Sequence, residues 1–118
     1  MTDEMILLAK RAVACKGWRW MPGMRWWTDD DRGRLDDFQP DYMGRPTDAL
    51  PDLTDPATVG CLLALVREAW GDPTLCVVLD TSDGRWCVGC WEDNGIAMRG
   101  RGGATETEAL VNALEGAP

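Results

Sequence analysis

Histidine is absent from this chain of 118 residues, and serine occurs once, as Ser82. Together these gaps exclude a Ser-His-Asp hydrolase, and the first removes the commonest general base and metal ligand. Long apolar runs are missing as well. The longest, Cys61 to Val66, falls far short of the ~20 residues needed to span a bilayer. Basic charge is scarce: 12 Lys plus Arg stand against 20 Asp plus Glu, a net of −8, which argues against general affinity for a nucleic acid backbone. The N-terminus, Met1-Thr-Asp-Glu-Met-Ile-Leu-Leu, has no basic region ahead of its apolar stretch, so no secretory signal is expected. The five cysteines are odd in number, and a chain this long builds a core without covalent staples. Reduced thiols in a cytoplasm are therefore expected.

What is present fits one folded domain. The 45% apolar content is ordinary for a globular chain, and this length buries roughly 60–70% of the unfolded surface. Three helices are predicted. Thr2 caps the first, with Asp3 and Glu4 at its positive end and Lys10 and Arg11 toward the other, while Met5, Leu8, Ala9 and Ala12 follow the 3.6-residue period. Asp55 followed by Pro56 opens the second, and Val59, Leu62, Leu63, Val66 and Trp70 form its apolar stripe up to Gly71. The capping box Thr105-Glu-Thr-Glu108 opens the third, which buries Leu110, Val111 and Leu114.

Between the last two helices the pattern is that of strands. Leu75-Cys-Val-Val-Leu79 is apolar throughout, as expected of a strand covered on both faces. Arg85 to Trp91 and Ile96 to Arg99 follow, joined at Asn94-Gly95, a strong hairpin signal. A further hairpin is predicted from Trp18–Met21 and Met24–Trp27 around Pro22-Gly23. The expected fold is an α/β (α+β) single-domain α-β-α sandwich. Its sheet is mostly antiparallel and its order α-ββ-α-βββ-α. Residues 28–55 stand apart as an acidic Pro/Asp-rich loop, with nine Asp against three Arg. Loops of that length are usually functional or disordered, and both readings stay open. Phe38, Tyr42 and Met43 are candidates to pin part of it to the body.

The stretch Pro51-Asp-Leu-Thr-Asp-Pro-Ala-Thr-Val-Gly-Cys-Leu-Leu-Ala-Leu-Val-Arg-Glu-Ala-Trp-Gly71 resembles small bacteriophage proteins of the phage ABA sandwich type. Trp86 and Trp91 match that type's Trp-containing strand pair, Gly103 to Leu114 its last helix, and Gly17-Trp-Arg-Trp20 its early motif. The resemblance covers most of the chain except the acidic loop, and it implies a phage origin and an α-β-α sandwich. It transfers no catalytic residue.

Several chemistries are weighed on their residues. Cys87-Val-Gly-Cys90, completed by Cys76 or Cys61, has the ligand types for zinc. A straight strand, however, points the first two to opposite faces, so packed thiols are the preferred reading and no metal or cofactor is expected. Asp29-Asp30-Asp31 and Asp36-Asp37 offer acid and base groups for a hydrolase, against the plainer reading of hydrated charge. Gly100-Arg-Gly-Gly103 ahead of a helix suits a phosphate cradle or a simple turn.

The alternation of Trp with Arg is the most suggestive pattern. Indole faces stack on nucleobases and guanidinium forks hold phosphates. The candidate ligand-binding set is Trp20, Trp27, Arg19, Arg25, Arg99 and Arg101. The reading set against it gives at least half of the seven Trp to the core. The leading functional expectation is a non-enzymatic phage accessory protein in the host cytosol that sequesters a nucleotide-type immune signal. The alternative is an acidic, nucleic-acid-mimicking inhibitor of a host defence nuclease, binding through Asp29, Asp30, Asp31, Asp36, Asp37 and Tyr42. A third is a structural or regulatory phage protein without a ligand. No direct DNA or RNA binding and no membrane association are expected, and homo-oligomerisation stays open.

Overall fold

Each helix opens on the cap its sequence carries. Thr2 accepts the amide of Met5 at 3.2 Å ahead of α1 (Asp3–Val13). Asp55 accepts that of Thr58 at 3.0 Å ahead of α2 (Pro56–Trp70), and Thr105 that of Glu108 at 3.1 Å ahead of α3 (Glu106–Glu115). Gly71 stops α2 in the left-handed region, φ 63°, which a residue with a Cβ adopts only at a cost. The computed structural model describes residues 2–35, 45–93 and 95–118.

Two small antiparallel sheets accompany the helices. The first, ordered β2-β1-β3, joins β1 (Arg25–Trp27), β2 (Arg32–Arg34) and β3 (Leu50–Pro51). The second, ordered β4-β5-β6, joins β4 (Cys76–Asp80), β5 (Arg85–Glu92) and β6 (Gly95–Gly103). The chain is thus one α+β domain in the expected order α-ββ-α-βββ-α, with the two-residue β3 added ahead of α2. Helix α3 is its centre. It touches all three strands of the second sheet and both other helices, and residues 109–114 are all buried. Encirclement explains why this helix is apolar on more than one side. Asn112, its buried polar residue, donates to the Gly102 carbonyl at 2.6 Å. Gly100 and Gly103 let the sheet approach this closely: a Cβ would stand 2.7 Å from Ala113 Cα and 2.8 Å from Ala109 N respectively.

Four details differ from the sequence reading. The Pro22-Gly23 turn forms, with Met24 N donating to Met21 O and Gly23 at φ 90°. Yet β1 pairs forward with Arg32–Arg34 rather than back with Trp18–Met21, because Leu35 N and O bond to Met24 and Gly23 and hold the chain to that side. Residues 28–55 are also not one excursion. They supply β2 and β3 and bury Leu35, Ala49 and Leu53 in the core. On α2, Leu65 is fully buried, whereas Val59 and Leu63 are only partly so. Finally, β4 is covered on one face. Leu75 and Val77 turn toward the core with Val88, while the opposite face of the sheet is open and leaves Trp91 and Met98 exposed.

Candidate functional site

The first sheet has an inner and an outer face, set by the two-residue alternation of β1. Trp26 points inward and is buried. Gly33, its register partner, is required there, since a Cβ would come within 2.7 Å of the indole ring. Arg25 and Trp27 therefore stand together on the outer face, paired across β2 with Arg34 and Arg32, and Trp27 also faces Leu50 of β3. The connection from β1 to β2 is a tight turn. Thr28 N donates to Asp31 O at 2.8 Å, and Thr28 Oγ1 accepts the amides of Asp30 and Asp31 at 3.3 and 3.0 Å.

Two hollows meet at Trp27. One of 420 Å³ is lined by Trp27, Thr28, Asp29, Arg32, Asp52 and Thr54 with Ile6 of α1. A second of 300 Å³ shares Ile6, Trp27, Thr28 and Asp29 and adds Lys10, Asp48 and Leu50. The indole N–H of Trp27 is buried and has no hydrogen-bond partner among the described residues. Such an unmet donor costs about 1–3 kcal/mol.

The charges around the cleft divide into committed and uncommitted groups. Arg34 holds both oxygens of Asp55 at 2.9 Å. These bonds, with the hydroxyl and amide of Thr58, keep the Asp55 carboxyl far below the usual carboxylate range against the opposing effect of desolvation. Arg25 Nε lies 4.0 Å from Asp52, and Arg25 N donates to the buried Thr58 hydroxyl at 2.8 Å. The side chains of Arg32 and Lys10 have no ion-pair or hydrogen-bond partner among the described residues.

The six residues singled out from sequence do not form one site. Arg19 pairs with Glu68 of α2. Trp20 meets Trp18 edge-on, with centroids 5.5 Å apart, and carries the Arg45 guanidinium over its ring at 4.6 Å. Its face is already occupied. Arg99 lies 5.7 Å from the Trp70 centroid and 3.9 Å from Asp72, and Arg101 lies 3.5 Å from Glu115. Only Arg25 and Trp27 of the set share a sheet face. Each arginine of the set, expected as a phosphate clamp, has a carboxylate of this chain within 4.0 Å, and these ion pairs tie elements together.

The acidic set also divides. Asp29, Asp30 and Asp31 are exposed at the β1–β2 turn, while Asp36, Asp37 and Tyr42, with Phe38 and Met43, lie outside the described residues. Sequence reasoning passed over Lys10, Thr28, Arg32 and Asp52. The alternation Arg25-x-Trp27 followed by Arg32-x-Arg34 is the signal that places Thr28 and Arg32 at one turn, whereas Asp52 arrives from beyond β3 with no such signal.

Cys87 and Cys90 fall on opposite faces of β5, and no group of three or more metal-ligating side chains occurs among the described residues. Burial pushes the Cys15, Cys61 and Cys87 thiols up from their ordinary values, away from nucleophilic thiolate. Gly100 and Gly103 serve close packing on α3 and do not form a phosphate loop. The chain matches no protein-family model, no curated protein and no solved structure.

Proposed function

We propose that the protein is a binding protein acting by stoichiometry, and that the Trp27 cleft receives a nucleotide-type anion. The observation that carries this is the pair of adjoining hollows that share Trp27, with the cations Arg32 and Lys10 on their walls and without an ion-pair partner among the described residues. A planar base packs along the indole, and Arg32 and Lys10 meet the phosphate. Asp29 and Asp52 on the same wall accept from amino or ribose hydroxyl groups. The resemblance to phage proteins supports a setting in the bacterial cytosol and a counter-defence role, in which a bound host signal is removed from circulation.

The test is a titration of tryptophan fluorescence and calorimetric heat with a panel of mono-, di- and cyclic nucleotides. Trp27→Ala should abolish binding and Arg32→Ala should weaken it about tenfold or more, the effect of a charge-assisted hydrogen bond. A panel without a binder, or a Trp27→Ala protein that binds as the wild type does, rejects the reading. A second reading, inhibition of a defence nuclease, draws on the exposure of Asp29, Asp30 and Asp31 at one turn. It requires that neutralising these acids abolish phage protection while Arg32→Ala leaves it intact.

A further inference from the structure

The two hollows at Trp27 are mixed in charge. Three carboxylates line them, Asp29, Asp48 and Asp52, against the two cations Arg32 and Lys10. A ligand that brought only negative charge would meet those carboxylates as well as the cations. The walls therefore suit a ligand that is anionic at one end and a hydrogen-bond donor elsewhere.

The three carboxylates are not equally available. Asp52 is engaged. One of its oxygens accepts the amide of Thr54 at 3.0 Å and the Thr54 hydroxyl at 2.5 Å, and the other lies 4.0 Å from Arg25 Nε. Asp48 lines only the smaller hollow. Asp29 lines both, as Trp27 does, and its carboxylate has no hydrogen bond or ion pair among the described residues. The turn that carries it is fixed by Thr28, whose amide donates to Asp31 O at 2.8 Å and whose hydroxyl accepts the amides of Asp30 and Asp31. Arg32, just past that turn, is the register partner of Trp27. Residues 27–32 thus bring together an indole, a bare carboxylate and a guanidinium.

We infer that Asp29 selects the base and that the base is guanine; this rests on the Trp27 cleft being a nucleotide site. An ionised carboxylate offers two acceptors side by side and no donor. The base-pairing edge of guanine presents two donors side by side, N1–H and the 2-amino group. The two edges close a forked pair of charge-assisted bonds, as arginine does with a carboxylate. Adenine presents one donor, its 6-amino group, beside the N1 lone pair, and cytosine presents its 4-amino group beside the N3 lone pair. Uracil presents N3–H between two carbonyl oxygens. Each of these sets a lone pair against a carboxylate oxygen. A site that reads a substrate N–H discriminates against an analogue lacking it more sharply than a site that reads shape alone. With guanine on Asp29 and its ring against Trp27, Arg32 and Lys10 remain for the phosphate.

Calorimetric titration of the full chain with guanosine, inosine, adenosine and uridine, each as the 5′-monophosphate and the 5′-diphosphate, tests this. Guanine should bind about tenfold or more tighter than adenine, the effect of a charge-assisted hydrogen bond. Inosine keeps N1–H and lacks the 2-amino group, so it should fall between them. Asp29→Asn should reverse the order, because a carboxamide presents one acceptor beside one donor and so fits the adenine edge. Asp29 is exposed at a turn, and the variant should unfold at the wild-type temperature. If it does not fold, the wild-type ranking of guanine, inosine and adenine decides alone. Nucleotides that bind without preference for guanine, or a preference that Asp29→Asn leaves unchanged, overturn the inference while the cleft remains a nucleotide site. A panel without any binder overturns both.

Discussion

Replacing Asp55 with alanine removes the group that joins α2 to the candidate site. One carboxylate oxygen accepts the Thr58 amide at 3.0 Å and the Thr58 hydroxyl at 2.8 Å, and both oxygens accept from Arg34 at 2.9 Å. Loss of the helix cap costs about 1 kcal/mol. Thr58 is fully buried, so its hydroxyl hydrogen is left without an acceptor at about 1 kcal/mol more. Arg34 is too exposed for its lost partner to add much. The sum of about 2 kcal/mol lowers the midpoint of thermal unfolding by roughly 6–10 °C for a domain of this size.

Asparagine at the same place keeps the cap acceptor and should lose less than alanine. The effect also has a pH signature. The folded carboxyl is held below its ordinary value, chiefly by the Arg34 hydrogen bonds, so its contribution is complete above the unfolded value near 3.9. It fades as pH falls from about 5 through the depressed folded value. Wild type and Asp55→Ala should therefore converge in stability on acidification. Calorimetric melts from neutral to acid pH check both points. A midpoint within about 2 °C of wild type at neutral pH, or a difference that grows in acid, refutes the reasoning.

Gly33→Ala forces a methyl to within 2.7 Å of the Trp26 ring. Since Trp26 is buried in the core, overpacking should cost about 1–3 kcal/mol in a urea melt. Leu65→Ala and Leu63→Ala compare two neighbouring faces of α2. The first, at a fully buried position, should cost about 2–5 kcal/mol, and the second clearly less because Leu63 is only partly buried.

The helices were legible because their ends are chemically marked. Thr2, Asp55-Pro56 and Thr105 each accept the backbone amide that a cap must accept. The second sheet was legible from its apolar run and its Gly95 turn, although Asn94 itself lies outside the described residues. The first sheet was not. Arg32-Gly33-Arg34 has no apolar alternation because its inward residue is a glycine accommodating the Trp26 ring. Leu50–Pro51 is too short to show any period. The candidate site was missed for the same reason. Its cleft depends on which strand pairs with Trp27, and the Pro22-Gly23 turn suggested the wrong one. Nor does residue type reveal pairing. Arg19, Arg99 and Arg101 looked like free cations until Glu68, Asp72 and Glu115 stood beside them.

The acidity of the chain has a local origin that also bears on function. Asp52-Leu-Thr54, Asp72-Pro-Thr74 and Asp80-Thr-Ser82 repeat one turn. In each, a carboxylate oxygen accepts the amide two residues on, at 3.0, 2.9 and 2.9 Å, and also the hydroxyl of that residue. Asp31 and Asp83 accept the amides of Arg32 and Arg85 at 2.8 and 2.9 Å, and Asp55 caps α2. These are the side-chain-to-backbone bonds for which Asp is favoured at turns. Much of the negative charge therefore follows from how the loops are built, with no partner needed to explain it. An acid so engaged keeps its charge but gives part of its acceptor capacity to its own backbone, and is a poorer imitation of a phosphate. At the β1–β2 turn that leaves Asp29 and Asp30 with carboxylates uncommitted among the described residues, a narrow base for nucleic acid mimicry. Arg32 and Lys10, which line the Trp27 hollows, have no such engagement among the described residues, and the proposal of an anion as ligand rests on them rather than on the acids.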